Sequence, residues 1–254
     1  MLFDLRAHGD SEVGLGPHTV NAAAGDVVES LQALVDAGEI SLSSLEVAGH
    51  SFGGKVALAS VLAIKNARLF ESAGLGNSDE FSDLEHSTGR LRRVWILDSP
   101  PGVSDGELTR SVLDALGSLP ANFATRDHFV RELVSSKIAR GTAQWLAMNL
   151  KLERGRYHFS LDLVAIHALI DDFHRRDFWA LLEADFGPRF ELVVGGRSSA
   201  LDSAQLVRAR ALAEQGVIGL TVLADAGHWI HVDDPDALLG CMAGVETKTH
   251  VALM

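Results

Sequence analysis

Apolar positions along this chain follow two rhythms. Short blocks at 45–48, 93–97, 190–194 and 217–223 are nearly continuous in Val, Leu, Ile, Phe and Trp and stop abruptly, as buried strands do. Longer segments repeat apolar residues every three or four positions and read as helices at 22–37, 56–64, 203–215 and 236–245. In the first of these, Val27, Leu31, Leu34 and Val35 share a face and Gly38 ends the helix. Residues 1–6 alternate and are predicted to form a further strand. The order strand, helix, strand, helix predicts an α/β fold, with a mostly parallel open sheet covered by helices on both faces.

The rhythm changes between 103 and 188. Four segments, 104–119, 125–138, 142–150 and 161–182, carry helical spacing with no strand between them. This predicts a helical lid inserted into a core made of 1–102 and 189–254. Residues 71–90 are rich in Gly, Ser, Asp and Glu without apolar periodicity and read as a surface loop.

The most informative stretch joins the block ending at Ala48 to the helix beginning near Val56. It runs Gly49-His50-Ser51-Phe52-Gly53-Gly54-Lys55, a Gly-x-Ser-x-Gly turn between a buried strand and a buried helix. Glycines at 49 and 53 are expected to remove Cβ atoms that would collide where strand and helix pass closest. Ser51 then stands at a helix N-terminus, where the Phe52 N–H can face a developing oxyanion.

A serine hydroxyl needs a base to take its proton and a third group to hold that base in one tautomer. Loops at the carboxyl ends of the strands supply the candidates, because they converge on one crevice. Of eleven histidines, His228 follows a glycine after the last strand and is the expected base. His50 lies inside the turn, where it more often supports the turn than reacts. His228 and His231 make a poor metal pair, with no third ligand or glutamate at a zinc-protease spacing. For the acid, Asp98 ends its strand where the chain turns and is preferred to Asp202, which lies farther along its loop; Asp162 in the helical block is a third candidate.

Composition narrows the class. The chain has 254 residues, 47% of them hydrophobic, and a net charge of −12. The acidic balance and the absence of basic blocks argue against nucleic acid and anionic membrane surfaces as partners. No apolar run reaches the length of a membrane span, and the single cysteine, Cys241, excludes an internal disulfide. The first residues do not resemble a signal or transit peptide, so an intracellular, cytoplasmic location is the default.

Taken together, Asp4-Leu5-Arg6-Ala7-His8-Gly9-Asp10-Ser11, Gly49-His50-Ser51-Phe52-Gly53-Gly54-Lys55, Leu97-Asp98-Ser99-Pro100 and Gly227-His228-Trp229-Ile230-His231 resemble the α/β-hydrolases. More narrowly, they resemble the small-esterase branch that includes bacterial short-acyl esterases and the abhydrolase-domain proteins of mitochondria and chloroplasts. The resemblance implies a serine hydrolase acting on a small ester or acyl substrate through an acyl-enzyme, without cofactor or metal. It implies Ser51 as nucleophile, His228 as base and Asp98 as acid, with Ser198 assisting the acid. Trp145, Phe173, Phe178 and Trp179 are available to roof an acyl pocket, although any single one of them more often packs the lid. Family members place a strand ending in His-Gly, and a glycine loop bearing the second oxyanion donor, upstream of the segment that here begins at Phe3. The expectation is therefore an N-terminally truncated α/β-hydrolase with half an oxyanion hole, and a mitochondrial or chloroplast location if a targeting segment precedes it. The alternative is a non-catalytic binding protein on the same scaffold.

Overall fold

The computed structural model describes residues 1–40, 45–67, 91–184 and 187–244; the loop expected at 71–90 lies outside them. Contacts divide the chain into two compact units, one of Met1–Thr19 with Asp105–His174 and one of Val20–Ser104 with Arg175–Met254.

The second unit is built on a parallel sheet of strands β1 (Leu45–His50), β2 (Leu91–Leu97), β5 (Arg189–Gly195) and β6 (Gly219–Leu223), in that spatial order among the described residues. Period-two alternation sorts their side chains. Trp95, Leu97, Val193 and Leu223 pack on one face with Ala226, Ile230 and Leu238. Val94, Ile96, Leu192 and Val194, one step out of phase, are just as buried. Apolar residues on both faces explain why β2 and β5 read as continuous runs; β1, expected to be buried, instead exposes Glu46 and Ala48. The helices are α1 (Val20–Asp36), α2 (Phe52–Ala67), α7 (Trp179–Leu182), α8 (Ser203–Glu214), α9 (Ile230–Asp233) and α10 (Pro235–Met242). Helix α1 buries Val20, Ala23, Ala24, Val27, Val28 and Leu31, a single stripe, and packs against α2.

Residues 1–6 form no strand. Their backbone is taken up locally instead: Leu5 C=O accepts from His8 N–H at 2.9 Å, and Asp4 C=O accepts from the Ser11 hydroxyl at 2.7 Å. Alternation alone is not sufficient for a strand, which also needs a neighbour to complete its ladder. Side chains such as Asp4 and Ser11 offer the backbone a competing turn.

The first unit contains α3 (Glu107–Gly117), α4 (Arg126–Ser135), α5 (Arg140–Leu146) with a 3-10 turn at Ala147–Asn149, and α6 (Leu163–Arg175). Between α5 and α6 runs an antiparallel hairpin, β3 (Leu150–Glu153) and β4 (Arg156–Phe159), where only helix was expected. Its turn is Arg154-Gly155, with φ of 48° and 79°. A two-residue hairpin turn needs left-handed backbone at both positions, and glycine serves the second without strain. Phe129 anchors this unit, edge-on to Phe123 and stacked on Phe159. Arg126 donates to the carbonyls of Ala147 and Leu150 and lies over the Tyr157 ring, which ties the hairpin to α4.

The observed units differ from the expected core and insertion at two places. Met1–Thr19 groups with the helical segment, and residues 175–188 return to the sheet unit. Polar ties account for the second difference. Phe178 N–H donates to Pro101 C=O at 2.9 Å, which splits the long helix expected at 161–182 into α6 and α7. Lys55, fully buried on α2, donates to the carbonyls of Gly102 at 2.8 Å and Arg176 at 2.9 Å. Gln205 on α8 completes the arrangement, accepting from Gly102 N–H and donating to Val103 C=O.

Replacing Lys55 with methionine keeps much of the volume but strips one buried and one part-buried carbonyl of their donor. Lys55→Met is expected to destabilise the protein by roughly 2–4 kcal/mol. Equilibrium urea unfolding checks this through a lowered midpoint at unchanged slope.

Candidate active site

Strand β1 ends at His50 and helix α2 begins at Phe52, so Ser51 alone makes the turn, with φ of 54°. Left-handed backbone at a non-glycine residue is strained and survives only where its surroundings over-determine it. Here Ser51 N–H donates to Leu97 C=O at 2.9 Å, and Ser51 C=O accepts from Gly54 N–H at 2.9 Å. The steric demand for glycine is not distributed as expected. A Cβ on Gly49 would lie 1.9 Å from the Gly53 carbonyl oxygen, whereas a Cβ on Gly53 would meet nothing within 4 Å. Gly49 is thus required because the backbone of Gly53 passes over it. The other tight position is Gly54, where a Cβ would come within 2.5 Å of Ser99 Cβ.

Asp98 directly follows β2 and also takes a left-handed conformation, with φ of 45°. Its N–H donates to Val193 C=O at 2.7 Å, which carries the parallel ladder one residue past the strand. The side chain has no solvent exposure. Its Oδ1 accepts from Gly195 N–H at 2.9 Å, and its Oδ2 accepts from Ser198 Oγ at 2.5 Å and from His228 Nδ1 at 2.7 Å. With the Nδ1 proton directed at the carboxylate, His228 Nε2 presents its lone pair to Ser51 Oγ at 3.1 Å. The imidazole is 39% exposed. This chain of hydrogen bonds is therefore partly exposed at the imidazole and sealed at its aspartate end.

The loop carrying His228 is fixed from several sides. A Cβ on Gly195 would sit 2.2 Å from the Gly227 carbonyl oxygen, and one on Gly196 would sit 2.6 Å from that of Ala224, so the two loops pack backbone to backbone. Gly196 N–H donates to Leu223 C=O and Arg197 N–H to Ala226 C=O. Gly227 N–H donates to Asp233 Oδ2 at 2.7 Å. His50 Nε2 lies 2.7 Å from the His228 carbonyl oxygen, and its ring packs beside those of His228, Trp229 and His231. Burial lowers the His50 pKa from 6.5 to about 4. Nothing in the sequence around His50 signals this contact, because its partner lies 178 positions away.

Ser51, Asp98, His228 and Ser198 are thus brought together, and Phe52 opens α2 beside Ser51. The other acid candidates lie elsewhere, each capping a helix. Asp202 accepts from Gln205 N–H at 2.8 Å at the start of α8, and that bond holds its pKa below the usual carboxylate value. Asp162 accepts from Val164 and Ala165 N–H at the start of α6. Of the aromatic residues considered for a pocket roof, Phe173, Phe178 and Trp179 are buried in packing, and Trp179 lies under the Arg208 guanidinium. Trp145 is 45% exposed. Among the described residues there is no cluster of three or more side chains suited to hold a metal ion, and no helix is long and apolar enough to cross a membrane.

Comparison with known proteins gives the arrangement its context. The zebrafish (Danio rerio) sn-1-specific diacylglycerol lipase ABHD11 is 24% identical over 251 aligned residues, covering 92% of this chain and 65% of that protein. Among solved structures, a marine microorganism esterase superposes with a TM-score of 0.69 at 17% identity, over 95% of this chain and 82% of the other. The E-2-(acetamidomethylene)succinate hydrolase superposes with a TM-score of 0.63 at 16% identity, over 95% and 78%. The model of the alpha/beta hydrolase family matches residues 1–240, and with the parallel sheet and the serine turn already described, the chain belongs to that family.

Proposed function

We propose that this protein is a serine hydrolase that cleaves a carboxylic ester or a related acyl bond through an acyl-enzyme. The observation that carries this reading is the continuous relay from Ser51 Oγ through the His228 ring to Asp98, at 3.1 Å and 2.7 Å. Ser51 Oγ attacks the acyl carbon as its proton passes to His228 Nε2, and Asp98 stabilises the imidazolium that forms. The oxyanion faces the Phe52 N–H at the start of α2. As the tetrahedral adduct collapses, His228 returns the proton to the departing alcohol. Water then attacks the acyl carbon as His228 Nε2 takes its proton, and His228 passes that proton to Ser51 Oγ as the acid departs. Ser198 takes no proton in this scheme; its hydrogen bond keeps the Asp98 carboxylate turned toward the imidazole. The names of the relatives, a diacylglycerol lipase and an esterase, support acyl-ester chemistry of this kind.

A fluorophosphonate probe tests the reading directly. Wild-type protein should be labelled and Ser51→Ala should not; an unlabelled wild type, or label retained on Ser51→Ala, removes the proposal and favours a binding protein. Asp98→Asn should label and turn over a p-nitrophenyl ester on the order of 10³–10⁴-fold more slowly, because the imidazole loses its orientation and tautomer. The opposite pattern is expected at the rejected acid. Asp202→Ala should lose about 1 kcal/mol of stability in denaturant unfolding through its missing helix cap, with turnover within about twofold of wild type.

A further inference from the structure

We infer that His50 is a positioning residue that sets the separation of nucleophile and base, by donating its Nε2–H to the backbone carbonyl of His228. This inference rests on Ser51 and His228 acting as proposed above. The acceptor is a carbonyl at 2.7 Å, so Nε2 must carry the proton. Each of the other ties on the loop reaches a different part of the molecule. Gly227 N–H is held by Asp233, Ala226 C=O by Arg197, and the His228 ring by Asp98. The bond from His50 alone among these joins the base to the segment that carries Ser51, through the residue adjacent to it in the chain. One covalent step therefore separates the anchor of the base from the nucleophile.

The surroundings keep this donor in one state. The groups facing the His50 ring are His228, Trp229 and His231, with the Asp98 charge beyond them, and burial outweighs the favourable ones. His50 is consequently neutral near pH 7, so the anchor remains a single N–H donor.

His50→Phe keeps a flat ring of similar size and deletes the donor, while His50→Gln restores an N–H. For a p-nitrophenyl ester, His50→Phe should lower kcat on the order of 10²-fold with KM within about twofold, because misplacement of a reacting group by about 1 Å costs that much. His50→Gln should recover kcat to within about tenfold of wild type. Should His50→Phe melt without cooperativity, His50→Leu carries the same comparison. Equal kcat in wild type and the donorless variant overturns the inference, as does an equal loss in His50→Gln, which would assign the effect to ring packing. Labelling of the wild type by a fluorophosphonate separates the two levels. An unlabelled wild type removes the reading of the site itself, whereas a labelled wild type with an equally reactive His50→Phe removes only the role of His50.

A second measurement follows from the lowered pKa. Between about 4 and 6.5 the unfolded chain binds a proton at residue 50 that the folded protein refuses, so stability rises with pH across that window and is lost as pH falls through it. The melting temperature of wild type should fall further than that of His50→Phe on going from pH 7 to pH 4. An equal fall in the two proteins contradicts the buried neutral donor.

Discussion

A carboxylate with no exposed surface, such as Asp98, must exchange its water for protein donors or cost several kcal/mol. The donors come from two other strand ends: Gly195 N–H at the last residue of β5 and Ser198 Oγ just beyond it, and His228 Nδ1 after β6. Satisfying this one group therefore draws the loops after β2, β5 and β6 together. Ser51 joins them because β1 lies beside β2 in parallel register, with His50 opposite Leu97. The convergence of four strand ends is a property of the parallel sheet, and the buried charge selects which atoms meet there.

Two residues in strained backbone conformations, Ser51 and Asp98, each stand one position beyond a strand. Each also donates one further hydrogen bond to the neighbouring strand, to Leu97 and Val193 respectively. The ladder thus extends into the turns and holds a conformation that an isolated chain would leave. Close backbone packing supplies the rest of the constraint. Gly49 under Gly53, Gly54 against Ser99, and Gly195 against Gly227 are contacts that even a methyl group would break.

Polar groups away from the relay do structural work of a similar kind. Lys55 and Gln205 bind the backbone on either side of the point where the helical segment departs, around Gly102 and Arg176. His50 lies among aromatic rings, and burial suppresses its basicity. A titratable side chain in this protein thus serves as a fixed donor where its surroundings are dry, and as a proton carrier, on the proposed reading, only at the partly exposed His228.

Hydrophobic rhythm alone determined that this is a parallel α/β protein, because buried strands must be continuously apolar and covering helices must carry a stripe, whatever their partners. The serine turn was equally legible, since glycine spacing between a strand and a helix is a local property. Other features are decided between residues far apart in the chain. Alternation at 1–6 could not say whether a neighbouring strand existed, and the gap between the helical segments read at 142–150 and 161–182 held a hairpin whose turn depends on two left-handed residues, Arg154 and Gly155. Asp98 and Asp202 are the same residue type on loops that follow the adjacent strands β2 and β5. Only the fold separates a carboxylate 2.7 Å from the imidazole of His228 from one bound to the first turn of α8. Likewise, a histidine next to a serine says nothing by itself about a carbonyl 178 residues away. Burial and hydrogen-bond partners belong to the assembled sheet, and it is they that give chemically identical side chains different tasks.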